Sequence, residues 1–453
     1  MAIKVKTSAI NRAPFIRELP FIGSLYAHIN HRLSFYQHVA QKYGDVCGFH
    51  LGPFPIILFN GPEYAYSILV EHANDFSKGQ LVQKALGPFT GIGIFLSEGD
   101  SHRRQRKLIA PTFQPRQISN YADTMVHYSE QIQQDWHDEA IIAINQQMST
   151  LTMSIIGKVL FDSNAFNETD TLCKAALTKA EHAGYLMSRP IAIPFSWPTP
   201  RNRRTHRAIK VVEDRLQQMI DERRASTQER NDTLSLLLRA QDEDESQMSD
   251  QQLMDECLTL FGAGYETTAT ALTWAWYLLT THPAIYHKVL QEVDTALQGR
   301  SPTYADLVHL PYCLQVFKEA LRLYPPAYII PREALHEVEI GSYLVPKGYH
   351  VLLPVYLLHR NPDYFSNPNQ FDPDRFTPER EKGLPRCAYM PFGAGPRICI
   401  GNHFALMEGQ LLLATLAQRV TFELVPGPTI EPDTSKTVIL HPNHEVMMKA
   451  IKR

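Results

Sequence analysis

Cys399 stands in Tyr389-Met390-Pro391-Phe392-Gly393-Ala394-Gly395-Pro396-Arg397-Ile398-Cys399-Ile400-Gly401, framed by three glycines and an arginine, just before an apolar helical run from Phe404 to Val420. Gly393 and Gly395 permit a tight turn of positive φ, which other residues adopt only at a cost. Such a turn can aim backbone N–H groups at the Cys399 sulfur, and the helix that follows adds the positive end of its dipole. Both effects lower a thiol pKa, so the spacing predicts a thiolate, the form that ligates metal. Phe392 would cover the sulfur and exclude water. Gly401 would leave room for a flat ligand at the helix start, and Arg397 would pair with a carboxylate on that ligand. A lone cysteine in a Gly/Pro loop is ordinarily a buried structural residue; the full Phe-Gly-x-Gly-x-Arg-x-Cys-x-Gly order weighs against that here.

A second stretch with chemical content is Phe261-Gly262-Ala263-Gly264-Tyr265-Glu266-Thr267-Thr268. The helix carrying it opens at a capping box, Ser249 with Gln252, and is stopped by Pro283. At 1.5 Å per residue it is about 50 Å long, and residues such as Leu253, Phe261, Leu272 and Trp276 make it apolar nearly all round, which places it centrally. Glycines at its middle weaken it by ~1 kcal/mol each, so either they allow close packing or they open a groove. Thr267 Oγ can bond back to the Ala263 carbonyl, Gly264 would leave a dioxygen-sized groove, and Glu266 can relay protons from solvent. In the charged run Glu98 to Lys107, His102 and Arg106 stand four apart on one helix face.

At these residues the sequence resembles the haem-thiolate monooxygenases, the cytochrome P-450 family. The resemblance implies that Cys399 is the axial ligand of the iron of haem b and that Glu266 and Thr267 are an acid–alcohol pair delivering protons to dioxygen. It implies propionate contacts from His102, where many members carry Trp, and from Arg106, Arg332 and Arg397, with Phe392, Gly393, Gly401 and Ala263 against the porphyrin. Glu319 and Arg322, in the helical run Tyr312 to Tyr324, would join Arg375 of Pro373-Asp374-Arg375-Phe376 as a structural set holding the cysteine loop. The implied reaction is monooxygenation of a lipophilic small molecule, a terpenoid, fatty acid or similar, with O2 and two electrons. Those electrons would come from a separate ferredoxin or flavodoxin with an NAD(P)H-dependent reductase, docking on a basic face of Arg103, Arg104, Lys107, Lys382 and Arg386. A peroxide-dependent peroxygenase is disfavoured by the Glu266-Thr267 pair, and a haem-thiolate sensor or electron carrier would need neither that pair nor a lid.

The elements that must hold these residues read as a mainly α cytochrome P-450 fold with a small β lobe, formed by about residues 20–75, 327–350 and 430–450 of a single haem domain. Helix-like Arg32 to Tyr43 precedes paired strands at Val46 to Leu51 and Pro55 to Phe59, and Pro62 suits a helix start. Residues 79–97 hold Gly79, Gly87, Pro88, Gly91 and Gly93 among apolar side chains. This predicts an irregular segment, either draped over a ligand or a buried connector. From it Leu81, Val82, Phe89 and Phe95 are expected to line the pocket, together with Ala263, Ala327, Tyr328 and Val438. Residues 120–180 are helical in pattern. The proline-broken stretch Ala183 to Pro198 resembles a mobile lid or is a core-facing linker, and Gln241 to Ser249 reads as a solvent loop. No Arg/Tyr carboxylate anchor occurs around Phe54 to Phe59, which lowers the fatty-acid case.

With 453 residues, 44% of them apolar, the chain can bury a sizeable core, and a net charge of −3 argues against bulk attraction to nucleic acid or anionic membrane. Cys47, Cys173, Cys257, Cys313, Cys387 and Cys399 are scattered without a C-x-x-C pair, as in a reducing compartment. Met1 to Pro20 contains no apolar run near the ~18 residues of a membrane span. Microsomal members of the family that the chain resembles typically carry such an anchor, so the resemblance implies a soluble, bacterial-type protein, expected to be a cytoplasmic monomer without a membrane anchor.

Overall fold

The computed structural model describes residues 11–163, 169–189, 193–228, 230, 232–241 and 247–453. Part of the N-terminal stretch, residues 190–192 of the expected lid and most of the expected 241–249 loop lie outside the described residues.

Helices dominate. Those that position the site are α1 (Gln80–Thr90), α2 (Gly99–Ile109), α3 (Ile144–Phe161), α4 (Thr169–Ser188), α5 (Pro200–Ala225), α6 (Asp250–Thr281), α7 (Pro311–Leu323) and α8 (Asn402–Arg419). The main core gathers side chains from α3, α6, α7 and α8. α6 is its axis, as its all-round apolar character requires. Ser249 Oγ accepts from the Gln252 N–H at 3.2 Å, one half of the expected cap, and the helix ends one residue before His282-Pro283.

Gly264 serves this packing. A Cβ there would sit 2.6 Å from Cδ1 of Ile156 on α3, and the neighbouring Tyr265 carbonyl accepts from Thr152 Oγ1 at 3.0 Å. The groove expected at Gly264 is thus filled by α3. Open space lies instead at Gly262, where a Cβ would meet nothing within 4 Å, and at exposed Ala263.

The segment expected to be irregular after Gly79 forms α1. Val82, Ala85 and Phe89 fall at i, i+3 and i+7 and are all buried, so an apolar stripe prevails over the local effect of Gly87 and Pro88. Gly79 (φ 86°) and Gly91 (φ 60°) bound the helix.

A five-stranded sheet runs in the order Val46–Leu51, Phe54–Phe59, His350–Leu353, Ile330–Ala334, Phe76–Ser77. It confirms the expected hairpin, pairs Arg332 with Val351, and begins its fourth strand three residues after Ala327. A second sheet joins Val420–Leu424, Met447–Lys452 and Ala140–Ala143. The last of these interrupts the region expected to be wholly helical, because Ile141 and Ile142 favour an edge strand. Pro432–Asp433 and His441–Pro442 pair as a short antiparallel C-terminal hairpin.

α7 carries Glu319 and Arg322, both fully buried. Arg322 Nε and Nη2 donate to the two Glu319 oxygens at 2.7 and 2.8 Å, while Nη1 reaches the His359 and Pro368 carbonyls. Arg375 Nε adds a bond to Glu319 at 3.3 Å. Each buried charge thus has several hydrogen-bond partners, as a buried ion pair requires. The link to the cysteine loop is His359, which the sequence did not reveal. Its Nδ1–H donates to the Arg322 carbonyl, and its Nε2 accepts from the Met390 N–H at 2.9 Å.

Candidate active site

The cysteine loop turns as its glycines predict, with φ 73° at Gly393 and 69° at Gly395. A Cβ on Gly395 would lie 1.9 Å from the Leu69 carbonyl oxygen, so only glycine fits. Cys399 N–H donates to the Phe392 carbonyl at 2.9 Å, the Gly401 N–H donates to the sulfur, and α8 starts at the next residue. Cys47, Cys257 and Cys313 are buried; Cys399 is exposed. A methyl on Gly401 would have its nearest neighbour 3.8 Å away, on Phe113.

One expectation is corrected. Although Cys399 is open to solvent on one side, the protein enclosing it elsewhere desolvates the thiol and pushes it up from its usual value, and the Gly401 N–H, Arg106 and Lys78 oppose that shift without overcoming it. Turn and helix dipole alone do not make a thiolate; a metal cation on the sulfur would.

Cations gather at the edge of this site. Arg397 forms an ion pair with Glu98, so its first partner is a protein carboxylate, and its Nη1 is buried without a partner. Arg106 Nη1 donates to the Ile398 carbonyl at 2.8 Å, tying α2 to the cysteine loop. Arg332 donates to the Pro331 carbonyl, and burial together with Arg397 pulls it down to about 10. His102 is buried and pulled down to about 4, first by burial and then by Arg397 and Arg106, so it is a neutral donor or acceptor near neutral pH.

Lys78 and Glu98 belong to the cluster and escaped the sequence reading. Burial, Arg332 and Arg397 hold Lys78 well below the ordinary lysine range, and its Nζ lies 3.5 Å from the centroid of the Phe95 ring. Glu98 is the anion within a group of four cations; Lys78, Arg332 and Arg397 are all shifted down, first by burial and then by the neighbouring cations, with Glu98 opposing the shift.

Across the site, Thr267 Oγ1 donates to the Ala263 carbonyl at 2.9 Å, as expected. Glu266 meets a partner the sequence did not suggest, His441, at 3.0 Å. Phe89 packs with Ala183 and Leu186 of α4, Ile209 of α5, Phe195 and Val438, so the expected lid, α1 and the C-terminal hairpin meet in one apolar cluster. Val82 is buried and Leu81 half-buried on α1, Phe95 is 41% exposed under Lys78, and Ala327 is exposed. Tyr328 is the exception. Its hydroxyl accepts from Arg32 inside a buried polar knot with Tyr36 and His28, because alternation along the chain turns it away from the side that Ala327 faces.

Residues 13–450 match the family model described as Cytochrome P450. The chain belongs to the cytochrome P450 family. It is 36% identical over 419 residues to a cyclooctatin synthase of Streptomyces melanosporofaciens, covering 92% of this chain and 88% of that one. It is 34% identical over 423 residues to a cyclooctat-9-en-7-ol 5-monooxygenase of the same organism, covering 91% and 87%. Among solved structures, a retinoic acid bound cyanobacterial CYP120A1 superposes with a TM-score of 0.88 at 25% identity, covering 98% of this chain and all of that one. As a cytochrome P450 the chain is a monooxygenase whose cofactor is haem.

The residues present fit that cofactor. Among the described residues no group of three or more His, Cys, Asp or Glu side chains could hold a metal, so a metal at Cys399 must bring its other ligands with it. The partnerless Arg397 nitrogen and the cations gathered beside it suit the two carboxylates of a haem edge. No helix among the described residues is long and apolar enough to cross a membrane.

Proposed function

We propose that this cytochrome P450 hydroxylates a terpenoid, with Cys399 as the axial thiolate, in a single haem domain served by separate electron donors. The observation that carries the site assignment is exposed Cys399 at the start of α8, flanked by the half-buried cations Lys78, Arg106, Arg332 and Arg397, with Arg397 Nη1 left without a partner. Haem bound there supplies the oxidising chemistry for C–H hydroxylation by O2, and a thiolate ligand donates the electron density that favours O–O cleavage.

The protein's own residues do the rest. Arg397, Arg332, Arg106, Lys78 and neutral His102 hold and orient the carboxylate edge. Gly401 and Ala263 leave space for the flat faces. Glu266 and Thr267 hold the proton that the reaction consumes. Phe89, Val438, Leu186 and Phe195 offer an apolar wall, which suits a polycyclic hydrocarbon framework; the naming of one relative for cyclooctat-9-en-7-ol agrees.

Arg103, Lys107, Lys382 and Arg386 are exposed and suit an acidic ferredoxin or flavodoxin fed by an NAD(P)H-dependent reductase. Electron transfer from such a donor should slow as salt is raised from roughly 0.05 to 0.5 M, where the screening length falls below roughly 10 Å.

Reduced protein under carbon monoxide should show the red-displaced Soret band of a thiolate ligand, and Cys399→Ala should lose it. A panel of terpenoids, fatty acids and steroids should give a substrate-induced spin shift with terpenoids. A retained band in Cys399→Ala refutes the ligand assignment, and a shift confined to fatty acids refutes the substrate class.

A further inference from the structure

Glu266 is already engaged in the fold. Its Oε1 lies 3.0 Å from Nε2 of His441, whose Nδ1 lies 3.2 Å from Oγ1 of Thr270, one turn further along α6. An ionised carboxylate only accepts hydrogen bonds, so Nε2 carries the proton in this contact. A further turn on, Trp274 Nε1–H donates to the Leu440 carbonyl at 2.9 Å. Three successive turns of α6 therefore grip the C-terminal hairpin at Leu440 and His441, and the imidazole is held at both nitrogens. The His441 side chain keeps 26% of its surface open against 14% for Glu266, so the ring is the more solvent-accessible of the two. Val438, three residues earlier, packs with Phe89 and Ala183, so the segment leading into the strand that holds the acid forms part of the apolar wall.

We propose that His441 is the positioning residue and proton source of Glu266. It takes a proton from solvent, passes it from Nε2 to the Glu266 carboxylate and returns to the neutral ring. One N–H bond breaks, one O–H bond forms, and a proton from water restores the imidazolium; no electrons move. Thr270 fixes the ring plane so that Nε2 faces Oε1. The proposal rests on the reading of Glu266 and Thr267 as an acid–alcohol pair.

The test compares His441→Phe, His441→Gln, Glu266→Gln and the double variant His441→Phe/Glu266→Gln as holoenzymes, each first shown to keep the thiolate carbon monoxide band. The measurements are product formed per reductant consumed, peroxide released and the solvent deuterium isotope effect. His441→Phe should lower coupling roughly tenfold, less than the roughly hundredfold or more expected for loss of the acid itself, leave KM unchanged and enlarge the isotope effect, and the double variant should be no worse than Glu266→Gln. A readout independent of turnover is nitrogen NMR of 15N-histidine-labelled enzyme in the diamagnetic ferrous carbon monoxide form. The resonances assigned to His441 by their loss in His441→Phe should move in Glu266→Gln.

Unchanged coupling and isotope effect in His441→Phe, with both altered in Glu266→Gln, overturn the relay and leave the acid–alcohol reading intact. Unchanged values in Glu266→Gln overturn that reading itself. Should His441→Phe fail to load haem, Thr270→Val removes only the Nδ1 partner. It should give a smaller loss of coupling and a shifted His441 resonance, and wild-type behaviour in both refutes the proposal.

Discussion

Gly264→Ala separates two roles for the glycine at the middle of α6. A methyl there would lie 2.6 Å from Cδ1 and 2.8 Å from Cγ1 of Ile156, well inside any real carbon–carbon contact. Forcing an extra methyl into a packed helix–helix contact costs about 1–3 kcal/mol. Replacing a mid-helix glycine by alanine returns about 1 kcal/mol of helix propensity. The net expectation is therefore a loss of about 0–2 kcal/mol, too small a window to be decisive alone. The double-mutant cycle with Ile156→Ala removes the ambiguity. The propensity gain appears in both backgrounds and cancels, whereas the clash exists only opposite isoleucine, leaving a coupling of about 1–3 kcal/mol. The assay is urea-induced loss of helical circular dichroism on the four holoenzymes, with peroxide release measured alongside. Coupling below about 0.5 kcal/mol, the level expected of independent sites, together with raised peroxide release in Gly264→Ala, would refute the packing role and restore the groove.

Gly395→Ala should cut the haem-loaded fraction roughly tenfold or more by absorbance ratio, because positive φ costs about 1–2 kcal/mol and the Leu69 carbonyl, being backbone, cannot yield to the new methyl. Glu319→Gln leaves fully buried Arg322 without its carboxylate, a loss of about 3–5 kcal/mol; purified variant with wild-type urea resistance would contradict that. His359 is pulled down to about 3 by burial and by Arg322, so the folded state keeps it neutral while the unfolded chain takes up its proton below about 6.5. Its contribution to stability is therefore complete above about 6.5 and falls away as pH drops toward about 3. His359→Gln should make the decline between about pH 6.5 and 4.5 shallower by up to one proton, and an unaltered slope would show that His359 is protonated in the fold.

What was legible in the sequence is what local chemistry determines. Gly393 and Gly395 announce their own backbone angles, and Ser249 with Pro283 brackets α6 to within a residue. Glu319, Arg322 and Arg375 came together through a recognised pattern rather than through any spacing that could be derived. Misreadings arose where a local signal competed with a distant partner. Glycines and a proline masked the Val82, Ala85, Phe89 stripe that makes α1 a helix. Tyr328 looked like a pocket residue because its partner, Arg32, is 296 positions away. Lys78, Glu98, His359 and His441 are unremarkable in their own neighbourhoods, and they acquire a role only through contacts that the tertiary fold creates.

The electrostatics of the site make a single argument out of these pieces. The Cys399 thiol is displaced upward, which disfavours its anion, and Lys78, Arg332 and Arg397 are displaced downward, which disfavours their cations. Each group is thus held away from its charged form by burial, and for the cations by one another as well. A metal centre against the sulfur would favour the thiolate, and carboxylates at the edge would favour the cations. One flat molecule with a cationic centre and an anionic rim reverses every one of these displacements at once. A lone metal ion would leave the cations unrelieved, and a lone dicarboxylate would leave the thiol protonated. The site is therefore built to be completed by a group carrying both charges in a fixed relation, which is why the cation cluster and the cysteine loop are tied together by the bond from Arg106 to the Ile398 carbonyl.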